Sequence, residues 1–94
     1  MVILQIEHHV ASYETWRKAF DSDPVDRKNS GVKQVKIFHI PEDPNLVVVD
    51  VIFESMDNAK ATLSSLQKLW GKVGGMLASV PKTRFLELVD SIEV

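Results

Sequence analysis

The sequence predicts a single α+β domain in which four strands form one antiparallel sheet and two helices cover one of its faces. Three observations lead to this prediction: four segments alternate apolar and polar residues, two segments carry apolar residues at three- and four-residue steps, and their order is β-α-β-β-α-β. The chain has 94 residues, so residues 1–94 make one small domain. A chain of this size buries only roughly 60–65% of its unfolded surface, and a second copy would enlarge its core.

Composition excludes several classes of function. Lys and Arg number 11 and Asp and Glu number 13, giving a net charge of −2, which argues against a nucleic-acid partner. The sequence has no cysteine, which excludes a disulfide scaffold, thiol catalysis and an iron–sulfur cluster. No apolar run approaches the roughly 20 residues that span a bilayer, and the first ten residues lack the features of a signal peptide. We therefore expect a cytoplasmic protein with no membrane partner.

The first half of the chain is predicted to form a strand, a helix and a second strand. A strand over residues 2–10 is followed by a helix over 13–21, which Ser12 is suited to cap because its hydroxyl accepts a backbone amide. Gly31 is suited to a left-handed conformation before a strand over 32–40. One face of the first strand carries Val2, Leu4, Ile6, His8 and Val10, and the helical stripe carries Tyr13, Trp16 and Phe20.

The second half repeats this pattern. Turn residues 41–45 lead into the most apolar strand, over 46–54, and Ser55 is suited to cap a helix over 56–70. A last strand is predicted over 82–90. Right-handed crossovers then give a ferredoxin-like sheet of order 4-1-3-2 with both helices on one face. The residues expected to end the second helix are Gly71, Gly74 and Gly75.

The sheet face opposite the helices, called the outer face below, is predicted to be largely apolar. Such a contiguous apolar surface is too large to leave in water, so we expect a homodimer in which two outer faces pack together. The residues predicted on this face are Ile3, Phe38, Val48, Ile52, Phe85 and Val89, together with three carboxylates, Glu7, Asp50 and Glu87.

The segment HHVASYETWRKAFDSDPV, with the element order and the apolar outer face, resembles the dimeric α+β barrel superfamily, which is ferredoxin-like and antibiotic-biosynthesis-monooxygenase-like. The likeness is strongest to members whose first strand ends in His before a helix with Tyr, Trp and Phe, and it covers essentially the whole chain. It implies two subunits packed sheet to sheet, with small-molecule pockets between sheet and helices. Members include cofactor-independent quinone-forming monooxygenases, haem-degrading monooxygenases, muconolactone isomerase-like enzymes, chlorite dismutase-like proteins and stress-induced proteins, so the resemblance selects no single activity. The residues that carry it are His8, His9, Tyr13, Trp16 and Phe20.

The predicted sheet order brings candidate catalytic residues to one rim of the sheet, where the first strand ends beside the starts of the third and fourth. Pleat alternation is expected to turn them toward the helices, into a half-apolar pocket for a small anionic or quinone-like ligand. Histidine can act there as an acid or a base near neutral pH. The expected catalytic residues are His8, His39 and Arg84, and the expected substrate-binding residues are Tyr13, Trp16 and Trp70. In the alternative interpretation the histidines bond to turn carbonyls, the arginine pairs with a carboxylate and the tryptophans are core.

No cofactor and no metal are expected. His8 and His9 are adjacent on a strand and therefore point to opposite faces, so they cannot share an ion. A site would need His8 with His39 and a carboxylate, and nothing in the sequence fixes that spacing. The resemblance to haem-degrading members would imply a helix Trp, which Trp70 matches, an Asn in the first strand and a histidine ligand after Trp70, and the sequence lacks the last two.

Two functional hypotheses follow. The first is a homodimeric barrel with a small-molecule pocket, acting as a cofactor-independent monooxygenase or isomerase on a small aromatic, quinone-like or lactone substrate. The second is a non-enzymatic stress-associated or ligand-binding module whose cavity is only core. A cavity of a few hundred Å³ touching His8 favours the first. RNA-binding modules share the element order, but their third strand carries a basic–glycine–aromatic pattern that LVVVDVIFE lacks.

Overall fold

The computed structural model describes residues 1–72 and 80–94, and in these the elements follow the predicted order. The strands form one antiparallel sheet of order β2-β3-β1-β4, which is the predicted order 4-1-3-2 counted from the other edge. The predicted ferredoxin-like α+β fold is confirmed. The strands are β1 (Val2–His9), β2 (Val32–Ile40), β3 (Asp43–Phe53) and β4 (Lys82–Glu87), and the helices are α1 (Tyr13–Asp21) and α2 (Met56–Lys72).

Both predicted helix caps are present. The Ser12 hydroxyl accepts a hydrogen bond from the Thr15 amide at 3.4 Å, and the Ser55 hydroxyl accepts one from the Asn58 amide at 3.3 Å. Each bond satisfies one of the amides that a helix leaves unpaired in its first turn. Gly31 adopts the predicted left-handed conformation, with φ of 86°, directly before β2.

The core lies between the sheet and the helices. Leu4 in β1 is the register partner of Val51 in β3 and of Phe85 in β4, so all three side chains share the helix side of the sheet. Alternate residues of β1 and β3 are buried along this face, as expected for strands with one face in the core. The core cluster consists of Val2, Leu4, Ile6, Val10, Val47, Val49, Val51, Phe53 and Ala59.

Two predicted strand boundaries were wrong. β3 begins at Asp43 rather than at residue 46, because Ile40 already pairs with Asp43. Pro44 is tolerated there because the β1–β3 register extends only to Leu46 and the β2–β3 register shifts next to Ile40. β4 ends at Glu87 rather than at residue 90.

The second helix does not end at Gly71, since α2 continues to Lys72. A single glycine inside a helix costs only about 1 kcal/mol relative to alanine, so it does not by itself end one. The predicted stop at Gly74 and Gly75 lies outside the described residues. None of the helices in the described ranges is long and apolar enough to cross a membrane.

The face assignment of β4 was wrong by one residue. Arg84 is the partner of Gln5 and Leu86 is the partner of Ile3, so both belong to the outer face. Phe85 packs against the core, although the sequence placed it on the outer face. Each face of β4 carries one apolar and two polar residues, so hydropathy does not determine which face is buried and the register with β1 decides. By the same register Glu87, opposite Val2, also moves to the helix side.

The outer face carries a row of polar side chains across three strands. The Arg84 Nε donates to Gln5 Oε1 at 2.7 Å, and Gln5 Nε2 donates to Asp50 Oδ1 at 2.8 Å. Lys36 in β2 is the register partner of Asp50 and extends the row to the fourth strand. The row divides the outer face into two apolar strips, Ile3, Ile52 and Leu86 on one side and Phe38 and Val48 on the other, the latter beside the charged Glu7 and Lys82. The prediction of a continuous apolar surface was therefore too simple.

Candidate functional site

A cavity of about 410 Å³ lies between the sheet and the two helices. This volume is in the range of small-molecule binding sites, about 300–1,000 Å³. β1 and β3 form its floor, α1 and α2 form two walls, and residues of the connection between α1 and β2 complete it. Most of the lining is apolar, including Ile6, Val49, Val51, Leu66, Leu69 and Val25.

His8 is the titratable group on the cavity floor. It is only 4% exposed, and neither of its ring nitrogens has a hydrogen-bond partner among the residues that the structure describes. Burial lowers the pKa of His8 below the ordinary histidine value, because the charged imidazolium loses its hydration. The imidazole is therefore neutral at pH 7, with one nitrogen free to accept a proton and the other carrying a hydrogen to donate.

Thr62 brings a second buried polar group to the same cavity from α2. It is 4% exposed, and its hydroxyl has no hydrogen-bond partner within residues 1–72 and 80–94. A threonine in a helix often bonds back to a carbonyl one turn earlier, which is the usual way to satisfy a buried hydroxyl. The Thr62 hydroxyl does not do so, and it remains available to a molecule in the cavity.

Aromatic rings of α1 form one edge of the cavity. Trp16 meets the His8 imidazole with ring centroids 5.8 Å apart and stacks on Phe20 at 5.3 Å. The helical spacing of three and four residues places the rings of α1 on one side of the helix. Trp70 of α2 also lines the cavity, so indole rings from both helices border it.

The arginine of the lining is already engaged. Arg27 Nη1 donates to the Phe20 carbonyl at 2.9 Å, and its guanidinium carbon lies 4.1 Å from the centre of the Phe20 ring. Its Nε lies 3.3 Å from Asp23 Oδ1 in an ion pair. These contacts hold the connection after α1 against the helix. They also occupy the guanidinium of Arg27, which is therefore poorly placed to bind an anionic ligand.

The predicted site residues separate into two groups. His8, Trp16 and Trp70 line the cavity. Tyr13 lies one turn before Trp16, with ring centroids 5.8 Å apart, and supports that indole from outside the lining.

His39 and Arg84 are not brought together with His8. His39 and His8 are both register partners of Val47, so the two histidines share a face and a row with one strand between them. Two strand spacings separate their backbones by about 10 Å, and His39 is exposed. The placement of Arg84 beside them was wrong, because its register partner is Gln5 and its side chain binds Gln5 on the outer face.

Sequence reasoning missed Thr62 and Arg27. Thr62 lies between Ala59 and Leu66 on the apolar stripe of α2, and a lone hydroxyl at such a position was a usable signal. Arg27 could not be found this way, because it reaches the cavity through an irregular connection. Within the described ranges, no group of three or more histidine, aspartate and glutamate side chains is arranged to hold a metal ion.

The fold was compared with known proteins. No protein-family model matches the sequence, and no curated protein sequence matches it. SnoaB, a cofactor-independent oxygenase from Streptomyces nogalater, superposes with a TM-score of 0.75 at 8% identity, over 97% of this chain and 95% of that chain. An antibiotic biosynthesis monooxygenase superposes with a TM-score of 0.68 at 8% identity, over 96% and 100% of the two chains. Rv0793 from Mycobacterium tuberculosis gives 0.70 at 11% identity, over 99% and 100%. At these identities the likeness establishes the fold, which this chain shares with antibiotic biosynthesis monooxygenase-like proteins.

Proposed function

We propose that the protein binds a small aromatic molecule in the cavity and oxidises it with dioxygen, without a cofactor. The observation that carries the proposal is His8, a buried neutral imidazole with both nitrogens unpartnered by described residues, on the floor of an apolar cavity of about 410 Å³. A buried base is costly to keep unless a ligand uses it, since an unpaired polar group costs about 1–3 kcal/mol.

The chemistry needs only a base and an apolar cavity. His8 removes the proton of a phenolic hydroxyl of the ligand, and the resulting phenolate, whose charge is shared with the ring carbons ortho and para to the oxygen, transfers one electron to dioxygen and then combines with it at one of these carbons. The peroxide anion that forms takes back the proton from His8, and loss of water, which carries away the hydrogen of that carbon, leaves a carbonyl there. One phenol and one dioxygen thus give one quinone and one water, and the four electrons come from the ligand. The low pKa of His8 matches this role, because the base is unprotonated at neutral pH.

The structural comparisons support oxygenation over the other reactions that a base such as His8 could catalyse. SnoaB, which has the same fold, is a cofactor-independent oxygenase. The aromatic edge formed by Trp16 and Phe20 suits a flat ring, because offset and edge-to-face ring contacts are favourable. A proton-transfer isomerase acting on a lactone would use the same His8, and the measurements below separate the two reactions.

We also propose that the protein is a homodimer formed through the outer face. Phe38 is 48% exposed there, and it is the register partner of Val48. Ile3 and Leu86 lie on the other side of the polar row. A second copy would cover both apolar strips, and the polar row of each copy would face that of the other.

A binding screen followed by an oxygen measurement tests the proposed activity. The screen measures thermal unfolding with naphthols, hydroquinones, naphthoquinones and small lactones, since a ligand at 100 times its Kd adds roughly 2.7 kcal/mol of stability. Ligands that bind and carry a phenolic hydroxyl are then assayed in an oxygen electrode, where the proposal predicts one dioxygen consumed per quinone formed.

The matched variants are His8→Gln and His39→Gln. We expect His8→Gln to abolish oxygen uptake and His39→Gln to retain it, because His39 is exposed and outside the cavity lining. Binding without oxygen uptake would instead support a ligand-binding module, and lactone conversion without oxygen would support an isomerase. If none of these ligands binds, the proposed function is wrong.

A further inference from the structure

We propose that Thr62 is a second recognition point for the ligand, so that the preferred ligand carries a hydroxyl group for His8 and a carbonyl group for Thr62. This inference rests on the proposed function and specifies the class of ligand. The two side chains enter the cavity from different elements, His8 from β1 and Thr62 from α2. A ligand lying between sheet and helix can therefore touch both at once.

The other polar side chains of the lining are already satisfied or are exposed. Ser12 caps α1, Ser22 donates to the Ala19 carbonyl at 2.6 Å, and Arg27 is held by Phe20 and Asp23. Thr15 is exposed at the edge of the cavity. The buried polar side-chain atoms left without a partner, among described residues, are the two His8 nitrogens and the Thr62 hydroxyl.

Valine would fill the position of Thr62 with nearly the same shape and no unpaired hydroxyl. Thr62 is followed on the same helix stripe by Leu66 and Trp70, so the surroundings do not require a polar group for packing. An unpaired buried hydroxyl lowers stability, and residues that lower stability in a binding cavity are commonly those that contact the ligand.

The chemistry of the two groups defines what they recognise. Neutral His8 offers one acceptor nitrogen, which a ligand hydroxyl satisfies by donating to it. The Thr62 hydroxyl rotates freely and donates to a carbonyl oxygen of the ligand. The aromatic body between the two groups lies against the indoles of Trp16 and Trp70. A hydroxyl and a carbonyl on opposite sides of a fused ring system meet these requirements.

Three ligands that share one two-ring skeleton test this inference. They are 6-hydroxytetralone, which has both groups, tetralone, which has the carbonyl alone, and 6-hydroxytetralin, which has the hydroxyl alone. Their dissociation constants are measured by calorimetry on the wild type and on Thr62→Val, Thr62→Ser and Ser64→Ala. Thr62→Val removes the hydroxyl and keeps the shape, Thr62→Ser keeps the hydroxyl, and Ser64→Ala removes an exposed hydroxyl of the same helix outside the cavity lining.

We expect Thr62→Val to weaken both carbonyl-bearing ligands by about tenfold, the value of one buried hydrogen bond, and to leave 6-hydroxytetralin nearly unchanged. Thr62→Ser should restore most of the affinity, and Ser64→Ala should change none of the three dissociation constants. Equal weakening of all three ligands by Thr62→Val, or no weakening, would overturn the role of Thr62. In that case 6-hydroxytetralin binding that is lost in His8→Gln would leave the proposed function standing. If the wild type binds a naphthol or a hydroquinone of the screen but none of the three, the inference about Thr62 is wrong and the proposed function stands.

Discussion

The imidazole of His8 and the indole of Trp16 meet edge to face, with ring centroids 5.8 Å apart and ring planes inclined by 76°. This contact joins β1 to α1 and fixes the orientation of the buried base by apolar packing. A histidine held in this way keeps both nitrogens available, whereas a histidine oriented by a carboxylate would use one of them. The same packing removes water from the imidazole. The pKa of His8 therefore differs between the folded and the unfolded protein.

The pH dependence of stability should report this burial. The folded protein holds the pKa of His8 below its unfolded value of about 6.5, so between the two values the unfolded chain binds more protons than the folded chain. The contribution of His8 to stability is therefore fully present above about pH 6.5 and is lost as pH falls through the folded pKa. Denaturant unfolding between pH 5 and 8 should show this loss on the acid side.

Two variants isolate the His8 contribution. In His8→Gln the acid-side loss should shrink, because the group that takes up the proton on unfolding is gone. In His39→Gln it should persist, since His39 is exposed. Identical pH profiles for wild type and His8→Gln would show that His8 is not desolvated in solution.

Replacement of Thr62 by valine should raise the stability of the ligand-free protein. The Thr62 hydroxyl is buried and has no partner among described residues, so its removal eliminates a desolvation cost while the shape is kept. We expect a gain of about 1 kcal/mol in the free energy of unfolding, measured by urea denaturation. Thr15→Val, with its hydroxyl at an exposed position, is the control and should change little. A destabilised Thr62→Val would mean that the hydroxyl is hydrogen-bonded in solution.

Much of the fold follows from local sequence patterns. Period-two alternation located all four strands, and the capping residues Ser12 and Ser55 located the starts of both helices. β3 was easy to predict because one of its faces is uniformly apolar. The buried face of β4 could not be predicted, because both of its faces mix apolar and polar residues. The pairing of Leu4 with Phe85 determines which face is buried.

The site was predictable only in part, for a related reason. His8 and Trp16 belong to patterned elements, so their side chains could be placed on the helix side in advance. Arg84 depended on the register of β4 and was misplaced with it. Thr62 was overlooked because a threonine within an apolar helix stripe normally satisfies itself by bonding to the helix backbone. Only the structure shows that its hydroxyl has no such bond.

Gly31 should resist substitution for two separable reasons. Its φ of 86° is unfavourable for other residues, and a Cβ there would lie 2.5 Å from Asn58 Nδ2. We expect Gly31→Ala to reduce the free energy of unfolding by about 1–2 kcal/mol from the backbone alone, and displacement of the flexible Asn58 side chain should add a smaller amount. In an Asn58→Ala background the contact is removed, and the remaining loss measures the backbone cost. Equal stability of Gly31→Ala and wild type would show that this connection adopts another conformation in solution.

The assembly is tested by one substitution on the outer face. Val48 is the register partner of Glu7 and Phe38 there, so Val48→Asp places a carboxylate within an apolar strip and next to another acidic residue. An unpaired charge in the proposed dimer interface should reduce the free energy of association by about 3–5 kcal/mol, so the dimer should dissociate. Sedimentation equilibrium at micromolar concentration should give twice 10.6 kDa for the wild type and 10.6 kDa for Val48→Asp. Ala61→Asp adds the same charge at an exposed position of α2 and should remain dimeric. A folded wild-type monomer at this concentration would show that the outer face is not covered by a second copy.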